Sequence, residues 1–356
     1  MRIKEVSILV AFAALFAVSC SNDDGSPMEE EQDPKGAYEK GILVSNEGPF
    51  NNGTGTVTFI SEDYTVVEDA IFKKQNNEDL GNIVQSIAFD GDLAYVVVNN
   101  SHKIQVVNRY TFKSEGVIEE GLLNPRFFTV SNGKGYVTNW GDTADETDDY
   151  VAVIDLAANT VLNVIPVELG PEAITSNSDF VYVAHQGAFG QNNKVSVINN
   201  STDVVATTLT VGDFPNSMQW DATGDLWVLS TGAPEYTGEE TNGTLSKIDA
   251  TANTILQTFD FTTVQHPGDL NIENDILYFA LDNAVYSFDT SSESLPSEPY
   301  ISEVSFYAMT VNDGKLYGTD AKDFASKGDL YIYDLNSKEK INTIPVGIIP
   351  GGIYFN

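Results

Sequence analysis

The sequence predicts an all-β fold, a seven-bladed β-propeller, from three observations. Short runs of β-branched and aromatic residues, separated by Asn, Asp and Gly, follow one another after residue 40, and no long segment has a helical period. A start of the form Pro-x-x-apolar recurs about every 44 residues, which is a spacing typical of propeller blades. The last of these starts lies at the end of the sequence, with no further strands after it.

The repeating unit can be followed along the chain. Its starts read PRFF at 125, PEAI at 171, PNSM at 215, PGDL at 267 and PGGI at 350, with degenerate copies VQSI at 84 and FYAM at 306. The second strand of each unit carries a large residue at a matching position: Ile42, Tyr95, Tyr136, Tyr182, Trp227, Tyr278 and Tyr317. A turn and a variable loop flank this strand, and two more strands complete each unit.

The third strands of six units end on a carboxylate or an amide. These residues are Asn108, Asp155, Asn199, Asp249, Asp289 and Asp334. Their repetition argues against an acidic active site, because an Asx side chain at such a position can accept hydrogen bonds from the backbone and shape the next turn. We predict that they fix the turn into the fourth strand.

The two ends of the repeat predict how the ring closes. The first unit lacks a Pro-x-x-apolar strand, and PGGIYFN at 350–356 lacks a unit of its own. We expect residues 350–356 to form the innermost strand of blade one, because a propeller whose sheets bury both faces has to close.

The N-terminal residues predict export and a lipid anchor. Residues 1–19 combine a basic start with a short apolar run, as a signal peptide does. Cys20, the only cysteine of the chain, follows FAVS, which resembles a bacterial lipobox. The acidic residues after it favour a flexible tether, so we divide the chain into a signal peptide (1–19), a lipidated cysteine with its tether (20–37) and a propeller (38–356).

The charge of the chain argues against one class of partner. The formal net charge is −34 at pH 7, with 18 Lys and Arg against 52 Asp and Glu. Such a protein repels phosphate backbones, and no basic cluster reverses the charge locally. We therefore do not expect a nucleic-acid partner.

The variable loops and the blade connections meet on one face of the predicted ring. Gly- and Asn-rich loops each carry an aromatic residue, which favours a recognition surface. The alternative is that each aromatic residue packs under its own loop. We predict a ligand-binding face that includes Phe50, His102, Arg126, Trp140, His185, Phe189, Tyr236, His266, Tyr307 and Phe324. Arg126 either anchors an anionic or amide-bearing ligand or forms a salt bridge with Glu172 or another nearby acid.

Metal sites of the protein itself are not predicted. The histidines His102, His185 and His266 lie in blades that are spread round the ring, whereas shared zinc ligands have to converge. A single histidine that approaches a metal held inside a ligand is compatible with the sequence. The acidic residues of 142–149 could supply oxygen ligands for calcium, or they could form an unstructured, solvated loop. We expect no cofactor.

The motif content favours a binding protein over an enzyme. The sequence has no Gly-x-Ser-x-Gly, no His-Glu-x-x-His, no phosphate loop and no Cys-x-x-Cys-His. Glycoside hydrolysis needs only two carboxylates, so a propeller hydrolase remains an alternative.

The stretch GYVTNW, the Pro-x-x-apolar starts and third strands such as VAVID resemble the YVTN-repeat, or YncE-like, propeller family. Together with Cys20 and its acidic tether, they are similar to Bacteroidetes-type surface lipoproteins of the BtuG kind. That resemblance implies capture of a corrinoid or a metal–siderophore for a TonB-dependent transporter, by a protein anchored in the outer membrane and facing the cell exterior. The alternative is a glycan-binding or adhesive, protein-interaction scaffold.

Overall fold

Each predicted unit folds into a four-stranded antiparallel sheet. The structure is a computed structural model that describes residues 34–50, 53–262 and 264–356. The predicted signal peptide, Cys20 and all but the last residues of the tether lie outside the described residues. Seven sheets are formed within the described part of the chain. Their innermost strands contact one another in sequence round a closed ring, which confirms the seven-bladed propeller.

The strands follow in chain order, and every blade after the first contributes its own four. Blade one contains β1 (Gly41–Asn46), β2 (Thr56–Ser61) and β3 (Val67–Glu68); blade two contains β4 (Val84–Asp90), β5 (Leu93–Val98), β6 (Lys103–Asn108) and β7 (Ser114–Ile118); blade three contains β8 (Pro125–Ser131), β9 (Lys134–Asn139), β10 (Tyr150–Asp155) and β11 (Thr160–Pro166); and blade four contains β12 (Pro171–Ser176), β13 (Phe180–His185), β14 (Lys194–Asn199) and β15 (Val204–Thr210).

The remaining blades follow the same pattern. Blade five contains β16 (Pro215–Trp220), β17 (Leu226–Ser230), β18 (Thr244–Asp249) and β19 (Thr254–Asp260); blade six contains β20 (Gly268–Glu273), β21 (Ile276–Leu281), β22 (Ala284–Asp289) and β23 (Ile301–Ser302); and blade seven contains β24 (Met309–Asn312), β25 (Lys315–Asp320), β26 (Lys327–Asp334) and β27 (Lys340–Ile348), before β28 (Pro350–Phe355). The described residues also form helix α1 (Ile71–Asn76) and 3-10 turns at Asn99–Ser101 and Glu235–Thr237.

The core lies between neighbouring blades. The two middle strands of each blade are buried on both faces, so they consist of nearly continuous apolar runs such as LAYVVV in β5. The hydroxyl groups of two of the repeated second-strand aromatic residues also bond to the next blade. The Tyr136 hydroxyl donates to the Asp203 carboxylate at 2.7 Å, and the Tyr182 hydroxyl donates to the Asn253 side-chain oxygen at 2.6 Å. These bonds join blade three to blade four and blade four to blade five. In contrast, the Tyr95 hydroxyl has no partner among the described residues, and the Trp227 indole N–H donates to Asp221 of its own blade at 2.9 Å.

The predicted role of the Asx residues is confirmed. The Asp249 carboxylate accepts hydrogen bonds from the backbone N–H groups of Thr251 and Ala252, at 2.8 and 3.0 Å. The same pair of bonds occurs after the third strands that end at Asn108, Asp155 and Asn199. Asp289 and Asp334 each accept one such bond, from the N–H groups of Ser291 and Ser337. These side chains shape turns and are not gathered into one site.

The ring closes as the terminal repeat predicts. β28 pairs with β1 in an antiparallel register that sets Val44 opposite Ile353, and it forms the innermost strand of blade one. The last residue, Asn356, accepts a hydrogen bond from Arg109 at 2.5 Å and donates to the carbonyl oxygens of Tyr38 and Arg109. The first and last described segments are thus held together.

The ring has two different faces. We call the face with the turns after the first and third strands of each blade the turn face, and the face with the second loops and the blade connections the loop face. Lys35, near the start of the described chain, pairs with Asp92 in a turn of blade two at 3.0 Å, so the chain enters the propeller at the turn face. In the described part of the chain, none of the helices has the length and apolarity needed to span a membrane.

Candidate functional site

Exposed aromatic side chains characterise the loop face. The exposed fractions are 69% for Phe50, 81% for Phe189, 83% for Tyr236 and 55% for Phe324. These residues come from blades one, four, five and seven, and none of them packs under its own loop. Tyr236 is presented by the 3-10 turn Glu235–Thr237. These four aromatic side chains are thus accessible to solvent on the loop face.

Trp140 and Phe189 form a corner between blades three and four. Their rings are edge to face, with 5.8 Å between the centroids. The Trp140 indole N–H donates to the Pro171 carbonyl oxygen at 3.1 Å, which fixes the ring. The guanidinium of Arg126 lies 4.1 Å from the centroid of the Trp140 ring. The corner is therefore rigid at Trp140 and open at Phe189.

A second aromatic pair lies in blade seven. The rings of Tyr307 and Phe324 are edge to face, with centroids 5.6 Å apart. The Tyr307 hydroxyl donates to the Glu47 carboxylate of blade one at 2.9 Å. Tyr307 is 41% exposed, so it combines a fixed polar end with an accessible ring.

β-Bulges aim the blade connections at the central channel. In the innermost strands of five blades the register shifts directly after the first residue of the recurring start, for example between Val84 and Ser86 and between Pro125 and Phe128. In blade six the shift follows the second residue, Gly268. A bulge bends a strand and redirects a side chain. Here the redirected residues include Gln85, Arg126 and Glu172, which meet at the channel mouth on the loop face.

Arg126 forms the salt bridge that was one of its two predicted roles. Its guanidinium binds both carboxylate oxygens of Glu172, at 2.9 and 2.6 Å, and donates to Gln85 at 2.7 Å. The exposed fractions of the Arg126 and Glu172 side chains are 16% and 9%. A bidentate, largely buried pair of this kind orients the guanidinium. Arg126 also lies against Trp140, so it joins the channel mouth to the aromatic corner.

Two carboxylates that the sequence analysis did not single out belong to the same mouth. Burial raises the pKa of Glu47, while the hydrogen bond from Tyr307 and the charge of Arg126 act in the opposite direction. Burial also raises the pKa of Asp269 to about 7. Glu47 and Glu172 lie near Arg126, and Asp269 lies near Tyr307, so carboxyl groups outnumber the arginine at the mouth. The signal for Asp269 was available: it is the only acid at the third position of a recurring start.

The three histidines have separate environments. The His102 ring accepts a hydrogen bond from the Asn124 N–H at 3.0 Å, and the His266 ring bonds the Thr231 carbonyl oxygen at 3.0 Å and lies 3.2 Å from Glu240. His102 and His266 lie on the loop face as predicted.

The prediction for His185 needs correction. It is the last residue of β13 rather than a loop residue, and it is completely buried. Its ring lies 2.8 Å from the Ser196 hydroxyl, and burial lowers its pKa to about 4. A neutral imidazole packed inside blade four does not reach a ligand on the loop face. The second strand was predicted to end one residue too early, and this one residue decides whether the His185 side chain lies in the core or in the loop.

The acidic loop 142–149 is ordered by its own carboxylates and is not unstructured. Asp148 accepts a hydrogen bond from the Asp142 N–H at 2.9 Å, and Asp145 accepts one from the Thr147 N–H at 3.0 Å. Asp149 accepts one from the Gly170 N–H at 3.0 Å. Among the residues that the structure describes, no group of three or more His, Cys, Asp or Glu side chains is arranged to hold a metal ion.

The sequence matches one protein family over most of its length. Residues 40–346 match the family described as Domain of unknown function (DUF5074). The chain belongs to this family. The matched residues begin just before β1 and end within β27, so the family domain corresponds to nearly all of the propeller. None of the curated proteins matches the sequence.

Solved structures with the same fold have very different sequences. The computationally designed Ika8 protein has a TM-score of 0.58 at 11% identity, over 90% of this chain and 97% of that one. Dihydro-heme d1 dehydrogenase NirN in complex with DHE has a TM-score of 0.54 at 13% identity, over 93% and 77%. Hydrazine synthase of Kuenenia stuttgartiensis has a TM-score of 0.50 at 15% identity, over 75% and 89%. These likenesses establish the fold alone.

Proposed function

We propose that this protein is a lipid-anchored capture protein of the outer membrane, and that it binds a corrinoid or a metal–siderophore complex on its loop face for a TonB-dependent transporter. One observation carries the proposal: aromatic side chains from four blades stand exposed round a polar channel mouth. A broad, flat ligand with polar substituents suits such a surface, because its faces contact the rings and its substituents contact the mouth.

The recognition chemistry supports a ligand with amide or carboxylate substituents. Arg126 uses three of its N–H groups on Glu172 and Gln85, and two others have no partner among the described residues. The Glu172 pair orients these remaining donors toward a ligand. The resemblance to YncE-like propellers and to corrinoid-capture lipoproteins of the BtuG kind, through GYVTNW, the recurring starts and Cys20, supports the same ligand class.

The position of the chain entry supports capture at a surface. Residues 35–40 join the propeller at the turn face, where Tyr38 is buried against Phe59 and Phe112. The described chain therefore enters the propeller at the turn face, which is opposite to the face that carries the exposed aromatic side chains.

Calorimetric titration of the full-length protein in detergent tests the proposal. The probes are cyanocobalamin, a ferric siderophore and a panel of oligosaccharides. We expect submicromolar binding of one metal complex, with affinity lowered at least about fivefold in Phe189→Ala and Tyr236→Ala, because buried aromatic contacts are typical hot spots. Leu162→Ala is the matched control: it removes a side chain that is 57% exposed on β11, an outer strand.

A glycan-binding or adhesive scaffold is the second candidate, and Tyr236 favours it. This ring is the most exposed of the loop-face aromatic residues, and it lies between Glu235 and Thr237. A flat ring with neighbouring hydrogen-bonding groups can stack on a sugar. Binding of oligosaccharides alone would overturn nutrient capture in favour of the scaffold, and release of a hydrolysed product would identify a hydrolase.

A further inference from the structure

A pocket on the turn face lies where blade seven meets blade one. Its volume is about 270 Å³, just below the range of about 300–1,000 Å³ that is typical of ligand pockets. Turns of both blades and the end of β28 form its walls, so it lies where the ring closes. The walls include Glu62, Tyr64, Asp313, Lys315, Tyr317 and Phe355.

Tyr64 occupies a position at which two other blades have a shorter side chain. Tyr64, Asp203 and Asn253 each lie in the turn after the third strand of their blade, with left-handed φ angles of 61°, 55° and 54°. This conformation is common for Asn and Asp but rare for a bulky residue. Asp203 and Asn253 accept hydrogen bonds from the tyrosine hydroxyls of the preceding blade. In blade one, a phenol ring replaces that carboxylate or amide.

The hydroxyl groups of Tyr64 and Tyr317 are poorly paired with each other. Their oxygen atoms are 3.4 Å apart, whereas O–H···O bonds are about 2.5–3.0 Å long. The corresponding bonds to Asp203 and Asn253 measure 2.7 and 2.6 Å. Within the described residues this contact is the one hydrogen bond of either hydroxyl. Each phenol has one O–H, and only one of the two can point at the other. The pocket therefore offers an O–H donor to an acceptor on a ligand.

The least exposed charged side chain of the pocket wall is a cation. The Lys315 side chain is 30% exposed, and its salt-bridge partner in the described part of the chain, Asp313, lies 3.9 Å away and is 90% exposed. An exposed pair of this kind contributes little, so the Lys315 ammonium can bind another carboxylate. Glu62 and Asp313 are exposed at the rim. They repel a doubly charged anion more strongly than a singly charged one, so the pocket favours a monoanion.

Aromatic rings form the apolar part of the pocket. The rings of Tyr317 and Phe355 are edge to face, with 5.0 Å between their centroids. Tyr317 is buried, whereas Tyr64 and Phe355 are half-buried and pack against the apolar cluster between blades one and seven. Aromatic rings attract one another in edge-to-face and offset arrangements. A flat ring in the pocket can therefore contact the accessible parts of Tyr64 and Phe355.

We propose that this pocket binds a small aromatic carboxylate, whose charged group accepts hydrogen bonds from Lys315 and from a tyrosine hydroxyl while its ring contacts Tyr64 and Phe355. The site lies on the face opposite to the exposed aromatic residues of the loop face. It is thus a second site, and it does not depend on the proposed capture function. An aliphatic carboxylate lacks the ring contacts, and an aromatic alcohol lacks the charge.

Fluorine NMR of para-fluorobenzoate with the full-length protein in detergent tests the inference. The neutral probe of similar shape is para-fluorobenzyl alcohol, and detergent without protein controls for uptake into micelles. We expect saturable broadening of the para-fluorobenzoate resonance, with a dissociation constant on the order of millimolar for so small a ligand. The alcohol should show no saturable effect. Benzoate should displace the probe, and acetate at equal concentration should not.

Two variants and one control locate the binding. Lys315→Gln should weaken para-fluorobenzoate binding at least about tenfold, because it removes the cation. Tyr64→Asn gives blade one the residue type that Asn253 has in blade five, so the turn keeps its conformation, and the loss of the ring and hydroxyl should weaken binding several-fold. Lys113→Gln removes an exposed cation from a turn of blade two on the same face and should leave binding unchanged.

The opposite results overturn the inference. Absence of saturable para-fluorobenzoate binding, equal effects of the acid and the alcohol, or undiminished binding in both Lys315→Gln and Tyr64→Asn would each contradict a carboxylate site. Binding that is weakened by Phe189→Ala instead would place the ligand on the loop face. If a corrinoid or siderophore binds but para-fluorobenzoate does not, this inference fails and the proposed function stands. The reverse outcome confirms the turn-face site and contradicts the proposed function.

Discussion

The buried carboxyl group of Asp149 has an energetic cost in the folded protein. Burial raises its pKa from its ordinary value of 3.8 to about 6. The folded protein therefore binds more protons at this group than the unfolded chain between those values. Where the native state binds the extra proton, the free energy of unfolding decreases as the pH rises. The contribution of Asp149 to the free energy of unfolding is therefore lowest above pH 6, where its buried carboxyl group is charged.

Replacing this carboxyl group should stabilise the protein. At pH 7.5 we expect Asp149→Asn to raise the free energy of unfolding by about 1–2 kcal/mol, since a shift of one pKa unit corresponds to about 1.4 kcal/mol and solvent screens part of it. The gain should disappear near pH 4, where the carboxyl is protonated in the fold. Melting temperatures measured from pH 4 to pH 8 check this, with Asp260→Asn, which removes an exposed charge at the end of β19, as control. A constant difference across that range would contradict it.

At the channel mouth, individual residues could be predicted from the sequence, but their contact partners could not. Arg126 was recognised because arginine is rare in this chain, but its pairing with Glu172 depends on how two blade connections approach each other. Glu47 joins the mouth through Tyr307, which is more than 250 residues away. His185 was predicted to lie in a loop because the end of a strand cannot be predicted from the sequence to within one residue.

At the scale of the element, the strands were more predictable than the loops. The third strands end at the predicted residues because an Asx side chain has a local function, namely to accept hydrogen bonds from the turn that follows. The bulges at the channel mouth were not predicted, since the recurring start reads as regular strand. Their effect appears only when the innermost strand pairs with its neighbour.

The turn after β18 offers a test of this local function. Asp249→Ala removes the acceptor of two backbone hydrogen bonds, each of which contributes about 0.5–1.5 kcal/mol. We expect the free energy of unfolding to fall by about 1–2 kcal/mol. Asp249→Asn keeps an oxygen at the same position and should lose much less. Urea unfolding curves measure both variants, and an equal loss in the two would show that the charge, rather than the acceptor, matters.

At the scale of the whole molecule, the number of blades and the manner of closure could be predicted because they follow from counting units. The sequence contains seven recurring starts, and the last of them, at 350–356, has no further strands of its own. A ring of seven four-stranded sheets, closed by this last strand, is the arrangement that buries every sheet. The loop face could be predicted only as a set of loops. Which aromatic residues stand outward depends on the conformation of each loop, and the structure places Phe189 against Trp140 of another blade.

Removal of β28 should destabilise the entire ring. Ile353 and Phe355 pack in the cluster between blades one and seven, and their loss exposes the edge of β1. We expect deletion of residues 350–356 to lower the melting temperature by more than about 10 °C, or to abolish cooperative unfolding. A synthetic peptide of these residues should restore part of the loss. A truncated protein that melts with the parent would show that the closing strand is dispensable.

The pairing of β28 with β1 also constrains the order in which the protein can fold. The ribosome makes β1 first, but the strand that pairs with its inner edge follows more than 300 residues later. Until then blade one has only three strands, and its inner edge is unpaired. Contacts of such long sequence separation form slowly, because a long loop has to be ordered. Blades two to seven can fold as they emerge, whereas blade one is completed last although it is made first.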